Sequence, residues 1–107
     1  MAKRTVVWTE TAAKQRREIL KYWSVRNKSS KYPEKLIKLI SNQVKVIQSN
    51  PASFKLTHFP ETRISAMGHY SILYKLIEVQ LIITAFWDNR QDPEKLAEVL
   101  TNNSTNA

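Results

Sequence analysis

The chain has 107 residues, 42% of them hydrophobic, which suits one folded domain with its own core and leaves no room for two. It has no cysteine, which excludes disulfides and thiolate metal sites. The formal net charge of +8 is unevenly placed: residues 1–55 hold 13 basic and 3 acidic side chains, residues 56–107 hold 4 and 6, and a field of that sign favours polyanions or an acidic partner.

The start, Met-Ala-Lys-Arg-Thr-Val-Val-Trp, has too short an apolar run for a signal peptide or a membrane span, so a cytoplasmic protein is expected. Residues 4–8 are β-rich and read as a first strand. Thr9 offers an N-cap oxygen and Glu10 a first-turn carboxylate, and a helical pattern runs from there to about Lys28. Ala12, Ile19, Leu20 and Trp23 lie near one stripe of that helix, with Lys14, Arg17, Lys21 and Lys28 largely outside it. A polar break at Asn27–Lys31 precedes a second helix, with Pro33 in its first turn and Leu36, Ile40, Val44 and Ile47 on one face. Asn50-Pro51 ends it, because proline disfavours the α conformation in the residue before.

Residues 51–60 read as a loop bracketed by prolines, after which the period changes to two. Thr62, Ile64 and Ala66 face one way and Arg63, Ser65 and Met67 the other. Gly68, the one glycine of the chain, marks a tight turn with positive φ, and His69 to Ile77 follow as a strand. Glu78-Val79-Gln80 is a second turn, and Leu81 to Trp87 reads as a central strand. Asp92 caps a last helix with Pro93 at its first position, and Thr101–Ala107 reads as a polar, frayed tail. The order is β-α-α-β-β-β-α. It implies a single α+β domain over 1–107, a helical hairpin packed on one face of a small, twisted, antiparallel-rich sheet.

No metal motif is visible, since the two histidines, His58 and His69, lack zinc spacing, and one glycine cannot make a phosphate loop. No cofactor is expected. What remains is two arginines. Arg63 sits inside a strand, on a rigid backbone, and Arg90 follows the hydrophobic strand in a loop. A guanidinium is always charged and grips a phosphate with two hydrogen bonds. Against that stand an outward-facing strand charge for Arg63 and an ion pair with Asp88 or Asp92 for Arg90.

Several segments together resemble the RelE/ParE superfamily of toxins from type II toxin–antitoxin (plasmid stabilisation) systems. They are Trp8 opening onto the first helix, Ile47-Gln48-Ser49-Asn50-Pro51 closing the second, Thr62-Arg63-Ile64, Gly68-His69-Tyr70-Ser71-Ile72-Leu73-Tyr74-Lys75, and Phe86-Trp87-Asp88-Asn89-Arg90-Gln91-Asp92-Pro93. The resemblance spans residues 4–100 and implies two unlike activities. RelE-like members cut messenger RNA on the ribosome without a metal: the 2′-hydroxyl attacks the adjacent phosphate, and the enzyme moves protons and stabilises phosphoryl charge. ParE-like members poison DNA gyrase and need no nuclease site. The ribonuclease is the reading expected here, with a gyrase inhibitor or a toxin-like binding module without catalytic activity as the alternatives.

For the first activity, a metal-independent mRNA endoribonuclease, the resemblance makes Arg63 and Arg90 the phosphate-stabilising residues. Lys55 then lies in the loop that carries further basic groups, and His69 is a proton exchanger or a turn residue. Tyr70 and Tyr74 read as sheet-packing residues. This reading requires Arg63 and Arg90 to converge over one hollow. The chain departs from the RelE pattern in having no Tyr or His after Tyr74. The implied partners are a cognate antitoxin and either the ribosome with its mRNA or DNA gyrase, with no membrane.

Overall fold

The computed structural model describes residues 4–28 and 31–105. Strand β1 (Thr5–Trp8) runs into helix α1 (Glu10–Asn27) through Thr9, whose extended backbone ends the strand. Its Oγ1 accepts the N–H of Ala12 at 3.1 Å, satisfying one of the donors a helix start leaves over. At the other end Lys28 takes a left-handed backbone, φ 49°, and closes the helix. Ser29 and Ser30, the centre of the expected polar break, lie outside the described residues. Helix α2 (Lys31–Ser49) buries Leu36, Ile40, Val44 and Ile47, the stripe read from sequence, and Pro33 of its first turn besides.

Stretch 51–60 departs from the expected plain loop. A 3-10 turn (Pro51–Ser53) leads into a two-residue strand, β2 (Lys55–Leu56), which pairs with β3 (Arg63–Met67) only through Lys55–Ile64 and Leu56–Arg63. Two residues carry no readable period, so only pairing with a neighbour defines this strand. Gly68, with φ 65°, opens the two-residue turn to β4 (Tyr70–Ile77), and a second short turn at Glu78-Val79 leads to β5 (Gln80–Asp88).

The five strands form one sheet in the order β1-β5-β4-β3-β2. All neighbours are antiparallel except β1 and β5, which run parallel with Val6 opposite Leu81 and Trp8 opposite Ile83. Within β5, Leu73 faces Ala85 while Tyr74 faces Ile83, so Thr84 is the extra residue of a bulge. The bulge inverts the alternation. Leu81, Ile83 and Phe86 belong to the core beneath the helical hairpin, whereas Ala85 and Trp87 belong to a second cluster on the other face. That cluster is covered by helix α3 (Pro93–Thr105), whose Leu96, Val99 and Leu100 pack on Leu73, Ala85 and Trp87. Asp92 caps α3 by accepting the N–H of Glu94 at 3.0 Å. The helix continues to Thr105, into the stretch expected to fray, because no proline or glycine follows Leu100 to stop it.

Among the described residues no helix is long and apolar enough to cross a membrane, and no cluster of metal-ligating side chains occurs.

Candidate functional site

Arg63 stands on β3 opposite Tyr74, on the sheet face beneath the hairpin. It is half-buried, and its Nη1 donates to the carbonyl oxygen of Phe54 at 2.6 Å. The residue therefore ties the chain emerging from the 3-10 turn to the sheet. The Phe54 ring meets Tyr74 edge-on at 6.3 Å in the same corner. Lys55 pairs with Ile64, one position on, so by the alternation of a strand it lies on the opposite face from Arg63. It is exposed.

Arg90 lies in the loop after β5. Its Nε and Nη2 donate to the two carboxylate oxygens of Asp88 at 2.9 and 2.8 Å, a two-pronged clamp. Of the two acids that flank it in sequence, Asp88 is the partner. Hydrogen bonding to Arg90 holds the Asp88 carboxyl below the usual carboxylate range, against the opposing effect of burial, so the pair stays charged at neutral and mildly acidic pH. His69 sits in the β3–β4 turn, exposed, on the same side as Asp88. Its carbonyl accepts the N–H of Asn89 at 2.8 Å, which staples the turn to the end of β5.

The four expected residues thus fall into separate places. Arg63 faces Tyr74 and Asp88 faces Tyr70, four residues away along β4. At roughly 3.3 Å per residue that is about 13 Å along the strand, with about 10 Å more for the two strand spacings between β3 and β5. The expected convergence of Arg63 and Arg90 over one hollow does not occur. Each guanidinium instead holds a partner of its own, a backbone carbonyl in one case and a carboxylate in the other.

Both buried tyrosines are engaged in packing. Tyr74 donates its hydroxyl to the Pro51 carbonyl at 2.6 Å, and burial pushes its phenol above the ordinary value. Tyr70 accepts the indole N–H of Trp23 at 2.7 Å and stacks on Phe86, and burial raises its phenol too.

Several concavities form among the described residues, and two of them bear on function, neither legible as a motif. The first, of about 360 Å³, lies between α1 and the adjoining ends of β4 and β5. Trp23, Tyr70 and Phe86 line it, with Glu18, Asp88 and Arg90 as its charged groups. The second, of about 470 Å³, lies between α1, α2 and β1. It is lined by Trp8, Leu20, Ile37, Ile40 and Val44 and by the cations Arg16, Arg17 and Lys45, with no acidic side chain. The Arg16 guanidinium sits over the Trp8 ring at 4.3 Å, which fixes a positive charge at the rim. Ile37 is 50% exposed there. The signal for this groove was the pairing of apolar and basic residues on the flanks of both helices, which becomes a groove only once the helices are seen to lie side by side.

Comparison with known proteins agrees with this architecture. The model of the ParE toxin of the type II toxin–antitoxin system, parDE, matches residues 6–93. A solved structure described as the chromosomal ParDE TA system from P. aeruginosa shares the fold, with a TM-score of 0.70 at 19% identity, covering 80% of this chain and 96% of that one. No curated protein matches the chain by sequence.

Proposed function

This chain belongs to the ParE toxin family of type II toxin–antitoxin systems, and from that membership we propose that it arrests growth by binding DNA gyrase and not by cutting RNA. The observation that carries the reading is the separation of Arg63 from Arg90, each already engaged within the chain. Cleavage by 2′-hydroxyl attack needs charge stabilisation and proton transfer at one phosphate. The groups expected for that work stand apart: Lys55 lies on the opposite face of the sheet from Arg63, and Arg90 and His69 lie about 13 Å further along it. The phenols of Tyr70 and Tyr74 are committed to internal hydrogen bonds. A toxin that acts by binding requires none of these groups to converge.

Its regulator, in this reading, is an antitoxin whose acidic, amphipathic segment lies in the groove between α1 and α2. Trp8, Leu20 and Ile37 receive the apolar side of such a segment, and Arg16, Arg17 and Lys45 its carboxylates.

Adding the purified toxin to DNA gyrase and relaxed plasmid tests the target. The expected result is loss of supercoiling with accumulation of cleaved, gyrase-bound DNA. Undiminished supercoiling with no cleaved plasmid, at toxin in excess of gyrase, would contradict the proposal.

A further inference from the structure

We propose that the outer face of the helical hairpin binds the phosphate backbone of double-stranded nucleic acid. On α1 and its C-cap, Lys14, Arg17, Lys21 and Lys28 recur at spacings of three, four and seven, the helical ones on the side opposite Ala12, Ile19 and Trp23. On α2, Lys35, Lys38 and Lys45 recur at three and seven, opposite Leu36, Ile40, Val44 and Ile47. All seven side chains are exposed, and none forms an ion pair among the described residues.

A charged face that merely keeps a protein soluble mixes its signs, because like charges three and four residues apart on a helix repel. Here the mixing is slight: each acid has a ridge cation three or four residues away, but the ridge cations outnumber the acids seven to three. The two helices hold only three acidic residues, Glu10, Glu18 and Glu34. Glu10 and Glu34 sit in first turns, where the helix dipole favours a negative charge, and Glu18 lines the hollow on the flank of α1. At 1.5 Å per residue the α1 ridge from Lys14 to Lys28 is about 21 Å long, and packed helices lie about 8–10 Å apart. The ligand that matches two rows of cations on a rigid base is a stiff polyanion with charge every ~1.7 Å of its axis. Neither ridge carries an aromatic side chain on which an unpaired base would stack, which favours a duplex over a single strand. Lys14, Lys21, Lys28, Lys35 and Lys38 lie outside the apolar groove assigned to the antitoxin.

The test is fluorescence anisotropy of the purified full chain with a labelled DNA duplex, repeated with an RNA duplex and with single strands of the same length, over a range of salt. Gyrase is absent, so the outcome is separate from whether gyrase is the target. Affinity for a duplex is expected to fall with salt on a log–log slope of about −4 to −6, as for five to seven phosphates neutralised. The double variant Lys21→Gln/Lys38→Gln is expected to flatten that slope by about 2. The charge-matched control Lys75→Gln/Lys95→Gln, away from the ridges, is expected to leave it unchanged. Thermal midpoints of both variants show that the fold is kept. Preference for the DNA or for the RNA duplex identifies which nucleic acid the face takes. The proposal is overturned if no duplex binds at low salt, if the two double variants behave alike, if single strands bind as tightly, or if polyglutamate displaces the duplex at equal charge.

Discussion

Phe86→Ala is expected to destabilise the domain by about 3–5 kcal/mol, as removal of a buried phenylalanine does. Phe86 is 1% exposed, stacks on Tyr70 with centroids 5.3 Å apart, and its N–H is held by the side-chain oxygen of Gln15 at 2.9 Å. It is thus the residue through which α1 meets β5 just past the bulge. Domains of this kind have only about 5–15 kcal/mol in total, so roughly a fifth or more of the margin goes with one ring. In urea, with a slope of about 1–3 kcal/mol per molar, the unfolding midpoint should fall by at least about 1 M. A midpoint within ~0.3 M of wild type, with the slope unchanged, would show that α1 is held down by something else. Because Phe86 also lines the hollow beside Arg90, the variant should widen that concavity.

Ile37→Asp is the second large effect, and it falls on regulation rather than on folding. Ile37 is half exposed on the rim of the α1–α2 groove, so the domain should tolerate the change. A carboxylate placed there meets the apolar side of the antitoxin segment and repels its acids. Loss of the apolar contact together with a carboxylate facing the acidic segment should cost about 2–4 kcal/mol, so the antitoxin should bind about 30-fold to 1,000-fold more weakly by calorimetry. Growth arrest by the variant without antitoxin should match wild type, and co-expressed antitoxin should no longer relieve it. Unchanged antitoxin affinity would move the docking surface elsewhere, the unpaired edge of β1 being the next place to look.

Local chemistry made much of this fold legible. Thr9 caps α1 as its hydroxyl and position required, Leu36, Ile40, Val44 and Ile47 face the core, and Gly68 takes the positive φ its turn needs. What sequence does not encode locally is which strands become neighbours. The parallel partnership of β1 with β5 joins residues some 75 positions apart, and nothing in Thr5–Trp8 names Gln80–Ile83 as its mate. The bulge at Thr84 was hidden because Leu81–Trp87 is apolar on both faces, leaving no alternation to break. The site was legible by residue type and not by arrangement. Asp88 is two residues from Arg90 and was a visible partner, whereas the Phe54 carbonyl that holds Arg63 is a backbone atom that no side-chain pattern announces.

Primer extension across messenger RNA from cells arrested by the wild-type chain tests most directly the proposal that it does not act by cutting RNA. Arrest without new 5′ ends in translated messages is the expected result. Codon-linked ends that appear with the arrest, and vanish in Arg63→Ala or Arg90→Ala, would mean that the two guanidinium groups do share a phosphate after all.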